Sequence, residues 1–328
     1  MKKALYSLLA AVVITAGFAS SGYADEVYGV MQSRFTDILS GSGSSGFDMT
    51  RARLGYRIKP SDDLSASILF DFVHLDSVSF DASGNAKAKD QRSTGYLIVG
   101  YGEWKSPIPA TSIRFGLIPM LINAIDEPFW GNRFIYKSFL DQYGIAPIAD
   151  SGVAFNTKWA DNLKTSFAIS NGEGLLFSQD ASSLLRWSGL VDFSPIKSLQ
   201  LSVYGDAMPS ANMGTQTTVA LFAGTTLDMG RASVELFQQS SQKNASGSDV
   251  TGLSIFALYK GFSPFDIFAR FDSQSSKNDF SSKDGSVIIA GVQYPLIKTV
   301  RASLFFQADT PRSGKASSQV VLATEATF

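Results

Sequence analysis

The chain has 328 residues, a formal net charge of −1, no cysteine and a single histidine. The near-neutral charge argues against a nucleic-acid partner, because nucleic-acid-binding domains are usually strongly basic. The absence of cysteine excludes disulfide bonds, thiol catalysis and thiolate metal sites, and one histidine leaves little for histidine-based metal or acid–base chemistry. We therefore expect no cofactor.

The chain begins with the pattern of a secretory signal peptide, residues 1–24. Two lysines follow the first methionine, and an apolar run extends from Leu8 to Phe18. Small residues then lead to a Gly-x-Ala step that ends at Ala24, where we expect cleavage. The apolar run is too short for a membrane helix, which needs about 20 residues. The sequence thus predicts an exported protein with a mature chain of residues 25–328.

Beyond the signal peptide, apolar and polar residues alternate with a period of two. In residues 64–72, for example, Ile68 and Phe70 fall on one face, and Ser67 and Asp71 fall on the other. This alternation is typical of β-strands. A wide membrane barrel turns the apolar face to lipid and the polar face to water, and the two average to a mean hydropathy near zero, here +0.06.

Sixteen strands are predicted, at 26–38, 46–58, 64–75, 92–105, 112–121, 149–159, 163–171, 183–193, 199–207, 215–228, 231–241, 249–260, 265–275, 285–294, 300–309 and 317–328. Their connectors alternate between tight turns rich in Pro, Gly, Asn and Asp and longer loops rich in Ser, Gly, Asn and Lys. This alternation is what an antiparallel barrel needs when both termini lie at one end, with short turns in the periplasm and long loops outside. We therefore predict an all-β fold, a transmembrane antiparallel β-barrel of 16 strands.

The third long loop, residues 122–148, differs from the others because it is aromatic and apolar. A long connector of this composition is not disordered, so it should pack against another surface. In a wide barrel that surface is the inner wall, and a loop folded into the lumen would narrow the channel into a constriction. An external position, covering the mouth or contacting a neighbouring subunit, is the alternative.

The candidate site consists of charged residues on the predicted lumen face and on this loop. The pore-lining and constriction residues that we predict are Arg34, Arg51, Arg53, Arg57, Arg114, Asp126, Glu127, Arg133, Lys137 and Asp141. Arg51, Arg53 and Arg57 share one strand face, where they repel each other unless acids or passing anions lie opposite. If the loop acids face them, a transverse field results. Alternatively, these residues only keep the lumen wet. Arg270 and Arg301 are also assigned to the lumen face.

The last strand ends at Phe328, with apolar residues alternating before it. A terminal strand of this kind resembles the assembly signal of Gram-negative outer-membrane barrels. The resemblance implies an outer-membrane location, recognition by the barrel-assembly machinery, and contact with outer-membrane lipid and lipopolysaccharide.

The chain resembles the trimeric diffusion porins, in which the third external loop folds inward. The resemblance is closest to the phosphate-selective porin O and P family, and it rests on SIRFGLIP at 112–119 and GIAPIADSGVAF at 144–155. It implies a homotrimer. That family carries an arginine ladder and a lysine cluster in the pore; here the ladder is short and the loop contains one lysine, Lys137.

Together these features predict a channel for passive diffusion of small polar solutes and ions rather than an enzyme. His74 lies near the outer end of the third strand, where a barrel phospholipase would carry its histidine, but the Gly-rich serine motif of such an enzyme is missing. Two alternatives stay open. One is a substrate-specific channel for anions such as phosphate, and the other is a structural barrel scaffold without transport.

Overall fold

The main chain closes into an antiparallel barrel, and a separate two-stranded hairpin lies within one loop. The computed structural model describes residues 26–74, 77–80, 86–90, 93–175, 179, 184–209, 214–241, 248–277 and 281–328, without the side chains between 73 and 94. The predicted signal peptide, residues 1–24, and the side chain of His74 lie outside this description. Among the described residues, no helix has the length and apolar character needed to cross a bilayer.

The strands of the barrel are β1 (Glu26–Ser40), β2 (Gly46–Ile58), β3 (Leu64–His74), β6 (Ser93–Lys105), β7 (Thr111–Pro119), β8 (Ala149–Ala160), β9 (Leu163–Ser170), β10 (Arg186–Ile196), β11 (Leu199–Met208), β12 (Gln216–Leu227), β13 (Gly230–Ser240), β14 (Val250–Phe262), β15 (Phe265–Ser276), β16 (Gly285–Ile297), β17 (Val300–Pro311) and β18 (Ser317–Thr327). The hairpin consists of β4 (Ser77–Phe80) and β5 (Ala86–Asp90), and two helices, α1 (Asn123–Trp130) and α2 (Phe139–Tyr143), lie between β7 and β8.

Sequential barrel strands pair antiparallel, and β18 pairs back onto β1 to close the sheet. The prediction of a 16-stranded antiparallel β-barrel is therefore confirmed. The strands agree with their predicted positions to within a few residues. The largest shifts are three residues. They occur at the start of β10 and where a strand runs on into a predicted turn, as β10 does through Pro195 and β16 through Pro295, with a register irregularity at both run-on turns. The β4–β5 hairpin was not predicted.

Closure is completed by the last residue. The amide of Gly29 donates to the carbonyl of Phe328 at 2.8 Å, and the amide of Phe328 donates back to Gly29 at 3.2 Å. A Cβ on Gly29 would lie 2.3 Å from the ring of Phe328 and 2.8 Å from the carbonyl oxygen of Arg53. Glycine is therefore needed where β1, β2 and the chain end meet.

The outward face of the barrel is apolar and exposed, as the alternation predicts. In β12, Val219 and Leu221 point outward and are about half exposed, whereas Ala220 and Phe222 between them are buried. The expectation of a polar inward face is wrong for the wall from β10 to β18. There, apolar side chains also point inward, and a loop inside the barrel buries them.

That loop comprises residues 120–148 and is called the lumen loop below. Its α1 is followed by Gly131 and its α2 by Gly144, and both glycines have the left-handed conformation that glycine adopts without strain. Its aromatic side chains meet rings of the inner wall: Phe129 contacts Phe222 at 5.2 Å, Trp130 contacts Phe256 at 4.8 Å and Phe139 contacts Phe237 at 5.2 Å between ring centroids. The lumen loop thus fills one side of the interior with an apolar core.

Candidate channel lumen

The space left beside this core forms a line of three cavities between the lumen loop and the strands β1–β3 and β6–β10. The cavity at the long-loop end has a volume of about 300 Å³ and is lined by Arg34, Asp48, Arg51, Arg133 and Lys137 among others. The middle cavity, also about 300 Å³, is lined by Arg53, Arg114, Glu127, Arg133, Asn156 and Asp192. The cavity at the short-turn end has about 990 Å³ and is lined by Arg114, Asn156, Lys158, Lys164 and Asp192. Arg133 joins the first two cavities, and Arg114 joins the last two.

Two of the predicted wall arginines share one buried carboxylate. The Arg53 Nε donates to Asp71 Oδ2 at 2.8 Å, and the Arg51 Nε lies 4.0 Å from the same oxygen. All three side chains are largely shielded from solvent. Because one carboxylate faces two guanidiniums, this part of the wall keeps an excess positive charge.

The other predicted wall arginines have partners of their own. Arg114 lies 3.0 Å from Glu103 and stacks over Tyr101 at 5.2 Å. Arg34 lies 3.7 Å from Asp48, and both side chains are exposed, so this contact contributes little to stability.

Arg57 does not join Arg51 and Arg53 in one ladder. It lies about 13 Å further along β2 than Arg53, at the short-turn rim. There it donates to Glu26 at 2.6 Å and stacks on Tyr28. The structure thus places Arg57 away from the constriction, because the strand carries it to the end of the barrel.

The charges of the lumen loop are arranged differently from the expectation. Arg133 Nη1 donates to Glu127 at 2.6 Å, and its Nη2 donates to Asp141. The two loop acids therefore do not face the wall arginines alone, and the predicted transverse field is reduced by a cation on the loop itself. Lys137 is exposed at the long-loop end.

Asp126 does not line the channel. It is buried against the inner wall, where the Leu140 amide lies 3.5 Å away and Glu235 of β13 lies within hydrogen-bonding reach. Successive helix residues point about 100° apart, so Glu127 can face the channel while Asp126 faces the wall. Asp126 lies on the loop rather than on a barrel strand, and burial raises the pKa of its carboxyl to about 6.

Three arginines of the wall hold the main chain of the lumen loop. Arg231 donates to the carbonyl of Trp130 at 3.0 Å, Arg270 to that of Lys137 at 2.8 Å and Arg301 to that of Gly131 at 2.5 Å. Arg270 also lies over the Trp130 ring and Arg301 over the Phe134 ring.

Arg270 and Arg301 thus point inward as assigned, but they bind the lumen loop: the loop buries Arg270, whereas the side chain of Arg301 stays 33% exposed. Arg231 was not among the residues predicted for the lumen face. Because Arg231 lies four residues before Glu235 in β13, the two share the inward face, and this spacing was visible in the sequence. Among the described residues, no group of three or more acidic, histidine or cysteine side chains is placed to hold a metal ion.

No family model and no curated protein matches the chain. Solved structures do match over nearly its whole length. OmpF of Salmonella typhi in complex with daunomycin superposes with a TM-score of 0.72 at 11% identity, covering 94% of this chain and 98% of that one. The trimer form of OmpT, an outer membrane protein of Vibrio cholerae, gives 0.66 at 12% identity, covering 94% and 100%. The anion-selective porin from Comamonas acidovorans gives 0.64 at 11% identity, covering 93% and 100%. At these identities the similarity establishes a shared barrel fold.

Proposed function

We propose that this chain is an outer-membrane porin, a water-filled channel through which small polar solutes and ions diffuse passively. The observation that carries this proposal is the line of cavities between the lumen loop and the wall, each lined in part by charged side chains. A barrel with an exposed apolar outward face and a polar lumen suits a bilayer with water on both sides. Passive transport follows, because solutes can cross such a lumen without any moving part.

The same proposal covers location and assembly. We infer that residues 1–24 are a signal peptide cleaved on export, and that Phe328 is read by the barrel-assembly machinery of a Gram-negative outer membrane. Lipid and lipopolysaccharide would then contact the outward face. A homotrimer is supported by the trimer form solved for a barrel of the same fold. We propose no catalytic activity, in keeping with the residue types of the lumen.

A channel specific for anions, of the phosphate-selective O and P type, is the second candidate. It is favoured by the positive charge that Arg51, Arg53 and Arg114 bring to one wall. The three neighbouring cavities, which share lining residues, favour transport over a purely structural barrel.

Conductance tests the proposal. The mature protein, reconstituted in a planar bilayer, should give steady current steps, and Asn156→Trp should reduce them because this side chain lines both the middle and the short-turn cavities. Val219→Trp is the matched control, since it adds the same ring to the outward face. Folded protein that gives no current would refute the proposal, and so would an equal loss in both variants.

A further inference from the structure

We propose that four short turns on one side of the barrel lie in the lipid bilayer, so that the bilayer crosses the barrel obliquely and the channel mouth on the other side opens to water. The turns join β10 to β11, β12 to β13, β14 to β15 and β16 to β17, and together they are called the lipid rim below. Their partner is membrane phospholipid, at the level where headgroups meet acyl chains. This inference rests on the proposed membrane location and does not depend on what the channel transports.

Every turn of the lipid rim contains a large apolar side chain that is more than half exposed. These side chains are Ile196, Leu227, Met229, Phe262, Leu296 and Ile297. Exposed apolar residues grouped on one side of a molecule mark a contact with protein or with a membrane. Lys298 in the same surface also suits a bilayer, because the apolar stem of a lysine can lie in lipid while its ammonium group reaches the headgroups. The lipid rim therefore has the composition of a surface at a membrane interface.

The short turns on the opposite side of the barrel are charged. The β2–β3 turn contains the exposed ion pair Lys59–Asp62, and a second exposed pair, Lys158–Asp161, lies at the β8–β9 turn. Ile108 in the β6–β7 turn is exposed, but it lines the short-turn-end cavity together with Lys158. The channel mouth thus lies among the turns that favour water.

The height of the apolar outward face indicates how deep each side lies. A strand tilted by about 40° rises about 2.5 Å per residue, and the apolar band of membrane barrels is about 25 Å high. In β14 the outward run from Leu253 to Tyr259 rises only about 15 Å, and it reaches about 23 Å when Phe262 of the lipid rim is included. In β2 the outward run from Phe47 to Ile58 rises about 25 Å without its turn. The band is therefore lower at the lipid rim than at the charged turns.

The long-loop ends of the strands slant in the same sense. Beyond Leu253, toward the long loops, the outward residues of β14 and β15 are polar, and the hydroxyls of Thr251 and Ser275 lie 3.2 Å apart. On the other side, Phe47 of β2 is 88% exposed and contacts Phe35 of β1 at 4.8 Å between ring centroids. A bilayer that crosses the barrel obliquely meets polar side chains at the first place and apolar ones at the second.

Spin labels in vesicles of phosphatidylcholine and phosphatidylglycerol measure this depth. The chain has no cysteine, so a single introduced cysteine takes all the label. The label on Met229→Cys should be reached by oxygen, which concentrates in lipid, and shielded from a water-soluble nickel complex. Asp62→Cys is the matched control, at a turn on the charged side with 92% of the side chain exposed, and its label should be reached by nickel. The ratio of oxygen to nickel collision rates should be several-fold higher at position 229.

A third label separates the lipid rim from the membrane location itself. Val234→Cys lies on the outward face in the middle of β13. If its label is reached by nickel, the barrel is not in the bilayer and the proposed location is refuted. With this label in lipid, equal nickel access at positions 229 and 62 would overturn the lipid rim. Shielding of position 229 from both reagents would also overturn it, because the turn would then contact protein, such as a second copy of this chain. Both of these results would leave the channel function intact.

Discussion

Two adjacent carboxyl groups on α1 have separate roles because the helix turns between them. Glu127 faces the channel and accepts from Arg133, whereas Asp126 is buried within reach of Glu235. One oxygen of Asp126 and one of Glu235 are buried without a hydrogen-bond donor. Two such carboxyls repel when both are ionised and attract when they share a proton. The attachment of the lumen loop to the wall at this point therefore depends on protonation.

We expect Asp126→Asn to remove a pH dependence of channel noise. Burial raises the pKa of Asp126 from 3.8 to about 6, with Arg270 opposing the shift. A raised carboxyl pKa means that the contribution to stability is complete below the ordinary value and is lost as pH rises through the raised one. Current fluctuations of the wild type should therefore increase between about pH 4 and about pH 7. The current fluctuations of the Asp126→Asn variant should be the same at both pH values, because the amide of asparagine donates a hydrogen bond and does not titrate.

The control is Asp48→Asn, which removes a carboxylate that lines the long-loop-end cavity and does not touch the buried pair. It should keep the pH response of the wild type. An Asp126→Asn channel whose noise still rises with pH would show that the response has another origin.

At the scale of elements, the lumen loop is held to the wall by arginines that donate to its carbonyl oxygens. Of these, Arg231 reaches Trp130 from β13 and packs over Phe256, 5.7 Å from the ring centroid. The interaction joins a barrel strand to the end of α1, where the helix leaves carbonyls without partners in the helix. These contacts should fix the width of the channel.

Arg231→Met should loosen the lumen loop without removing the packing of the side-chain stem. A hydrogen bond from a charged donor contributes about 1.5–3 kcal/mol, so the variant should show frequent partial closures in single-channel records and a lower free energy of unfolding. Arg231→Lys should recover part of the wild-type behaviour, because lysine keeps a charged donor. Lys197→Met, in an exposed short turn, controls for loss of a cation. Steady currents from Arg231→Met would contradict this role.

The barrel strands were predictable from the sequence because each one has to present an outward face suited to lipid. The alternation around Ile68 and Phe70 shows this outward face within a few residues, and turns rich in proline and glycine mark the ends of the strands. The inward face obeys no such local rule. Phe222 and Phe237 point inward because the lumen loop, distant in sequence, covers them. Period-two alternation therefore located the strands but not the apolar half of the lumen.

The candidate site was predictable only where it lies on barrel strands. The alternation of inward and outward residues along β2 and β7 indicated Arg51, Arg53 and Arg114, and the structure brings all three to the channel cavities. The partners of Arg133 and the direction of the Asp126 side chain depend on how the lumen loop folds and on where its helix begins, which the sequence pattern does not determine. Only the folded loop decides which of its charges face the channel.

At the scale of the whole molecule, the interior is divided between an apolar core and a polar channel. The core lies between the lumen loop and the wall from β10 to β18, and the channel lies along β1–β3 and β6–β10. This division leaves a narrow passage inside a barrel that could enclose a wider one. A narrow lumen suits small solutes, and its rigidity depends on a closed barrel around it.

Closure itself depends on Gly29, where β1 meets β2 and the chain end. Gly29→Ala should weaken closure, because the added Cβ would lie 2.8 Å from the carbonyl oxygen of Arg53 and 2.3 Å from the Phe328 ring. The ring can rotate away, since Phe328 is 63% exposed, but the backbone oxygen cannot. We expect a loss of about 1–3 kcal/mol, as for other overpacked sites, and slower appearance of the folded, heat-modifiable form in lipid vesicles.

Gly189→Ala is the matched control for this variant. Gly189 lies in the interior of β10, and a Cβ there would meet no atom nearer than the Ser166 oxygen at 4.0 Å. Both substitutions add the same methyl group to a barrel strand, so a difference between them isolates the crowding at the seam. If Gly29→Ala folds as fast as Gly189→Ala and resists urea equally, the β1–β18 seam tolerates a side chain. Closure would then depend on strand pairing alone, because the backbone hydrogen bonds between Gly29 and Phe328 would persist in both variants.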